Sequence, residues 1–348
     1  MQIEEINSNC IFAYVPELEP LWGAINLLIS NEKALAPCVE IYGDKKIAGW
    51  RQKYRFLFEC FVTVKKCGPV NILDMLLDFP LEDFSAEKYR DAILSMPVED
   101  FIWRQLDLNS VEEAVKEEIA KALTDDAALE RVFGWVAGEC ESFLAFSAFV
   151  RQSARFITEF FSLAEELQSQ ALFDTLEKQT GKIADMEQTV RNGVENLGPF
   201  EFSQEVMGKT FRNRGPYAEY VFIPSYLMPY MFTRYFHTWG DHKRQLLFMP
   251  LRDRGRKQED TIRTLKAAAD GTRYQILSLL AKEGPLRGLD IAKKISIATS
   301  TVSHHMEQLK EGGLITEEQV KNAKYYGLDR KNAASFLDEL KNDFKLEE

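Results

Sequence analysis

Residues 295–314 read ISIATSTVSHHMEQLKEGGL, and this pattern leaves little choice of local structure. A helix over 299–310 places Val302, Met306 and Leu309 on one stripe, the periodicity of a face packed against a core. The opposite face then carries Ser300, Thr301, Ser303, His304 and Glu307, with Thr299 at the helix start. Short polar side chains near the start of the second helix of a helix-turn-helix are of the kind that meets base edges in the major groove. Gly312 and Gly313 are expected to stop the helix, because glycine enters the left-handed C-cap conformation without steric cost.

The flanks extend the pattern. Leu289, Ile291, Ile295 and Ile297 predict the apolar stripe of a short preceding helix. Downstream, 314–320 predicts a strand, 321–324 a polar tip, and Tyr325, Tyr326 and Leu328 a return strand, together a two-stranded wing. Lys321 and Lys324 at that tip are placed to reach phosphate oxygens beside a groove.

Taken in order, LKAAADGTRYQILSLL, GLDIAKKI, TSTVSHHMEQLKEGGLI and KYYGL resemble the ArsR-type winged-helix transcriptional repressors over 265–328. The resemblance implies a homodimeric DNA-binding domain whose first and last helices pair across a two-fold axis. Leu265 in the first helix, and Leu337, Leu340 and Phe344 with Ala334 in a last helix over 332–344, are then the dimer residues. It also gives His304 a position that is often basic in the family, while His305 is expected to pack or bond at the helix flank. His304 and His305 stand about 100° apart on a helix and cannot chelate one ion together. Metal-sensing members carry a cysteine pair at positions corresponding to Arg287 and Leu289, neither of which is a thiolate ligand. No histidine follows His305, so no metal site and no cofactor is expected. Ala298 replaces the usual serine N-cap, which leaves Thr299 as the expected cap.

At 348 residues the chain is too long for one such domain. The polar, basic, glycine-broken run RDRGRK at 252–257 marks the boundary, giving a first domain over 1–251, a linker over 252–258 and a winged helix-turn-helix over 259–348. The net charge of −11 divides unevenly: residues 261–348 hold 14 basic against 13 acidic side chains, so the acid lies in the first domain. The expected fold class is mainly α with small β content (α+β), the larger N-terminal domain being mostly helical. With no apolar run long enough to span a bilayer, and no basic-then-apolar pattern in MQIEEINSNC, no membrane segment or signal peptide is predicted and the protein is expected in the cytoplasm. Cys10, Cys38, Cys60, Cys67 and Cys140 contain no CxxC pair and are expected as free thiols, with a Cys60–Cys67 redox pair as the alternative.

In the first domain we expect a strand near 11–15, a helix over about 17–30, and a helix after the Ser110–Glu113 capping box with Val111, Val115, Ile119 and Ala122 on its apolar stripe. Phe149, Phe156, Phe160, Leu163 and Leu167 predict a long amphipathic face. Beyond Gly198, strands are expected over 217–223, ended by Pro224, and over 245–251, with a helix over 225–237 between them. No catalytic motif is present; His237, Asp241 and His242 in HTWGDH could be drawn as a metal or acid-base site, but a polar turn is the simpler reading. Of 41 aromatic residues, 36 precede residue 261, enough to fill a core or to line an apolar ligand pocket.

The expectation is a non-enzymatic transcriptional regulator, a repressor in the family's manner, that binds a pseudo-palindromic double-stranded DNA operator as a homodimer. A small-molecule or peptide effector would act at the first domain. Two alternatives stay open: a constitutive dimeric DNA-binding protein without effector, and an enzyme fused to a regulatory winged helix.

Overall fold

The computed structural model describes residues 1–29, 32–61, 69–106, 108, 114–136, 142–208, 210–211, 215–228, 232–237, 243–252, 258–320 and 323–346. The expectations for Val111, the Ser110–Glu113 capping box, Cys67, Cys140, Asp241, His242 and Lys321 fall outside them. The chain forms two compact units, Met1–Arg252 and Asp253–Glu348, and is mainly helical with a few strands.

The first unit is built on a five-stranded sheet of order β1-β2-β3-β5-β4, from β1 (Gln2–Asn7), β2 (Cys10–Tyr14), β3 (Glu219–Ser225), β4 (Thr233–Phe236) and β5 (Arg244–Pro250). β2, β3 and β5 are parallel, and β1 and β4 add antiparallel edges. Between β2 and β3 run α1 (Glu19–Ile29), α2 (Glu32–Tyr42), α3 (Asp44–Lys53), α4 (Arg55–Phe61), α5 (Ala86–Ser95), α6 (Val98–Gln105), α7 (Ala114–Ala122), α8 (Asp126–Val136), α9 (Phe143–Arg151), α10 (Ser153–Leu167), α11 (Gln170–Glu177), α12 (Thr180–Leu197) and α13 (Pro199–Met207).

Strand alternation divides the core. Ala13, Val221, Ile223, Leu246 and Phe248 face a large cluster that draws on α1 to α11. Cys10, Phe12, Tyr220, Phe222, Leu247 and Met249 face the other way, onto Ile183, Val190 and Val194 of α12 and Phe202 of α13. Both faces of the central strands are therefore covered, which is why they read as continuous apolar runs.

Several sequence expectations shift here. The expected helix over 225–237 is replaced by β4, which pairs Thr233 with Phe248 and Tyr235 with Leu246; Tyr235 turns into the core, and the ladder overrides the helical reading. Pro224 does not end β3 but pairs with Met249. Tyr220 N–H points to Asn9 of the β2 side, so the nitrogen of Pro224 faces that side as well, beyond the last β2 partner at Phe222. A ladder donor is not needed there, so proline is tolerated. The expected helix over 17–30 becomes a 3-10 turn, Pro16–Leu18, followed by α1. The aromatic stripe is buried as expected but is split, with Phe149 on α9 and the rest on α10. β1 was not anticipated, because QIEEIN offers no apolar run; it is an edge strand charged by Glu4 and Glu5.

One polar residue is fixed deep in this unit. Glu19, fully buried at the start of α1, accepts hydrogen bonds from Tyr226 N–H (2.7 Å), Leu227 N–H (2.8 Å) and the Ser225 hydroxyl (3.2 Å). Burial pushes its carboxyl up to about 7, against the opposing pull of those donors. The free thiols of Cys10, Cys38 and Cys60 are buried, and burial pushes each up to about 12, so none is a thiolate at neutral pH. His237 does not present a free imidazole: its Nε2 lies 3.0 Å from Asp78, and its Nδ1 accepts from Arg244 N–H at 3.2 Å. Since Nδ1 is an acceptor, Nε2 carries the proton and donates to Asp78.

The second unit comprises α14 (Gln258–Ala268), α15 (Gly271–Glu283), β6 (Leu286–Arg287), α16 (Gly288–Ile295), α17 (Thr299–Glu311), β7 (Ile315–Val320), β8 (Ala323–Leu328) and α18 (Arg330–Asp343). Its three strands form one antiparallel sheet of order β6-β8-β7. The core joins Ile276 and Leu280 of α15, Ile291 of α16, and Val302, Met306 and Leu309 of α17 with Leu314 and Ile315.

Candidate nucleic-acid interface

The turn between α16 and α17 is set by Ser296, whose φ of 58° lies in the left-handed region, and by Ile297 N–H bonding back to Ala292 O at 3.1 Å. This turn aims α17 so that Val302, Met306 and Leu309 are buried. Thr299, Ser300, Thr301, Ser303, His304 and Glu307 are exposed on its outer side. On α16 the expected stripe is only partly right: Ile291 and Ala292 are buried, but Leu289 is 59% exposed. Residues two apart on a helix point about 200° from one another, so Leu289 and Ile291 cannot share a face.

Thr299 is not the N-cap. Ala298 takes that place with φ −65° and ψ 146° and offers no side-chain hydrogen bond, while Thr299 is the first helical residue. The first-turn N–H groups therefore lack a side-chain acceptor and remain open to solvent or an anion. Ser303 donates its hydroxyl to Thr299 O at 3.1 Å, which leaves its oxygen lone pairs outward. His305 differs from His304: its side chain is only 14% exposed and Nδ1 stands 3.9 Å from the Asp270 carboxylate. Asp270 caps α15 by accepting from Arg273 N–H, and that bond is the main cause holding its carboxyl below the usual range.

The two glycines after α17 have different reasons. Only Gly313 is left-handed, with φ 68°. Gly313 N–H bonds to Lys310 O and Leu314 N–H to Leu309 O, the paired closure of a Schellman motif. Gly312 stays right-handed, and there the constraint is space: a Cβ on it would meet Ala267 Cβ at 2.5 Å. Thr264 of α14 donates to Gly312 O at 2.8 Å across that close approach.

In the wing, Val320 pairs directly with Ala323, so the return strand starts earlier than expected and Lys324 lies within β8 rather than at the tip. Lys324 is exposed but paired with Glu317 at 2.9 Å, and the same carboxylate takes Lys310 of α17 at 3.1 Å. Arg287 stands over the Tyr325 ring, 5.2 Å from its centroid, and donates to the Tyr325 hydroxyl at 2.8 Å. Lys310, Arg287 and Gly312 were not singled out as contact residues, because each acquires its partner only across a junction between two elements: helix to strand, strand to strand, and helix to helix.

The outer helices present apolar side chains to solvent. On α14, Thr261, Thr264 and Ala267 face inward, and Ile262 and Leu265 are 42% and 44% exposed. On α18 the buried anchor is Phe336, which the sequence reading passed over, while Leu337 is 57% exposed, Leu340 half-buried, and Phe344, just past the helix end, 63% exposed. Thr261 ties the two helices by donating to Glu339 at 2.9 Å.

The profile of bacterial regulatory proteins of the arsR family matches residues 270–317, which span α15, α16, α17 and the start of the wing. The transcriptional repressor SdpR of Bacillus subtilis is 38% identical over 64 residues, 18% of this chain and 70% of the relative. The chain belongs to the ArsR family. A cadmium resistance transcriptional regulatory protein, the CadC homolog of Staphylococcus aureus, is 33% identical over 79 residues, 23% of this chain. This chain spans 65% of that relative's length. Among solved structures, the homodimeric winged helix-turn-helix DNA-binding domain of a Mycobacterium bovis protein is 33% identical, with 28% of this chain and 91% of that one covered and a TM-score of 0.22. These ArsR matches lie in the C-terminal part, and the N-terminal region has no named match.

Proposed function

We propose that this protein is a sequence-specific DNA-binding transcriptional regulator that represses by occupying its operator as a homodimer. The observation that carries the reading is the outer face of α17, where Thr299, Ser300, Thr301, Ser303 and His304 stand exposed on a helix whose other side is locked into the core. In this reading Ser300, Thr301, Ser303 and His304 contact base edges, while Thr299 at the open helix start and the wing lysines Lys321 and Lys324 hold phosphates. Repression is supported by the repressor SdpR among the relatives.

Dimerisation is supported by the exposed apolar side chains of Leu265, Leu337 and Phe344, together with the half-buried Leu340. A two-fold dimer would place two copies of α17 about 34 Å apart, one turn of B-DNA, and so read a pseudo-palindrome. Control by a soft metal at the α16 site does not belong to this function: the two positions hold Arg287, engaged with Tyr325, and Leu289. Regulation is instead assigned to an effector at the N-terminal unit, which we take to be a sensing module and not an enzyme. No described helix is long and apolar enough to cross a membrane.

The test is binding of the full-length protein to a DNA fragment from upstream of its own gene, titrated against salt. Saturable, sequence-dependent binding that weakens steeply with salt supports the reading, and absence of binding at low salt refutes it. With that assay established, a metabolite or peptide screen that never shifts operator affinity would remove the effector.

A further inference from the structure

Glu317 is the meeting point of two lysines that come from different elements. The wing register opposes Glu317 to Tyr326 and Gln319 to Lys324, and opposed residues of an antiparallel ladder share a face, so Glu317 and Lys324 project from the same side of the wing. Lys310, in the last turn of α17, reaches that side as well. Its Nζ lies 3.1 Å from one carboxylate oxygen of Glu317, and Lys324 Nζ lies 2.9 Å from the other. The Glu317 carboxyl is held below the usual range, first by the hydrogen bond from Lys324 and then by that from Lys310, so it is charged at any physiological pH. Its side chain is 21% exposed, whereas the two lysines are 56% and 57% exposed. The acid is thus sheltered and the two cations face solvent, on the side of the wing turned toward α17. Arg287 and Tyr325 occupy the opposite face, because Tyr325 opposes Glu318.

We propose that Lys310 is a phosphate-contacting residue of the DNA interface, and that Glu317 is an internal anion which a DNA phosphate displaces from Lys310 and Lys324. The inference rests on the DNA-binding reading and adds to it. An ammonium group exchanging one oxyanion for another gains less than an unpaired one does, and the released carboxylate recruits a cation from solution. That uptake offsets part of the counterion release from DNA, so the clasp makes binding both weaker and less salt-dependent than two unclasped lysines would make it. This wing then carries a built-in attenuator whose strength is set by one carboxylate.

The test is fluorescence anisotropy of the full-length protein with a random-sequence duplex of about 30 base pairs, over a range of salt, because phosphate contacts act on all sequences alike. Glu317→Gln should tighten binding about three- to tenfold near physiological salt, the scale of two exposed ion pairs. The same variant should steepen the dependence of log affinity on log salt by about one. Lys310→Ala in the Glu317→Gln background should reverse most of that gain. Glu318→Gln makes the same charge change on the opposite face and should shift affinity by less than about twofold. If Glu317→Gln binds no better than wild type, or no better than Glu318→Gln, the clasp is overturned while the DNA reading stands. Retention of the full gain after Lys310→Ala would remove Lys310 from the interface. If neither wild type nor Glu317→Gln binds any duplex at low salt, both readings fall.

Discussion

Replacing Glu19 by Gln asks whether one buried carboxyl sets the pH response of the N-terminal unit. Its carboxyl is raised from 4.5 to about 7 by burial, so between these values the folded state keeps a proton that the unfolded state has released. The contribution is fully present below 4.5, falls as pH rises, and is spent once pH passes about 7. At about 1.4 kcal/mol per unit, wild type should lose roughly 2–3 kcal/mol of unfolding free energy between pH 5 and 7. The groups shifted the other way, Asp78, Glu166, Asp270 and Glu317, act below their ordinary carboxylate values and leave this window clear. Glu19→Gln removes the titration. Tyr226 N–H and Leu227 N–H bond to different oxygens of the carboxyl, and an amide keeps only one of these as an acceptor because its nitrogen only donates, so the variant should be destabilised by about 1–3 kcal/mol at pH 5. Its stability should then stay flat to pH 7, where the gap to wild type closes. All five tryptophans, among them Trp22 of α1, precede residue 253, so urea unfolding followed by tryptophan fluorescence reports this unit. A wild-type stability that is constant or rises from pH 5 to 7, or a variant with the same slope as wild type, would refute the reasoning.

Ser303→Ala with His304→Ala should relax sequence preference at the operator, whereas Lys324→Ala should weaken all sequences alike; competition against scrambled duplexes separates the two, and equal loss of preference from both would contradict the division of roles. Leu337→Asp with Phe344→Asp places charge on exposed apolar positions and should convert the dimer to monomer by sedimentation, with operator affinity falling at least about tenfold as half-sites uncouple. Gly312→Ala drives a methyl to 2.5 Å from Ala267 and should cost about 1–3 kcal/mol, read as faster hydrogen exchange in α14 and α17. Gly271→Ala, with nothing within 4 Å, should be close to neutral in the same measurement.

Much of the C-terminal unit was written in its local pattern. The Val302–Met306–Leu309 stripe, the polar outer face of α17, the double glycine and the alternating wing each follow from a period or a turn residue within about twenty positions. Local pattern also located the cores of β2, β3 and β5, since Ile11 to Ala13, Tyr220 to Ile223 and Leu246 to Phe248 are apolar enough for a strand covered on both faces. It failed where a neighbour decides the outcome. Thr233–Phe236 is a strand because β5 lies beside it, and QIEEIN is a strand because β2 folds back on it. Pro224 survives inside β3 only because β2 has ended on the side its nitrogen faces. The same division holds at the interface. Sequence determined which face of α17 is buried and which polar side chains it turns outward, because helical periodicity sorts buried from exposed residues without knowing the partner. Tertiary structure alone decided that Gly312 must be small, that Phe336 anchors the last helix, and that Lys310 and Lys324 share Glu317. Those facts depend on distances between separate elements, which are set by packing and not by a period along any one of them.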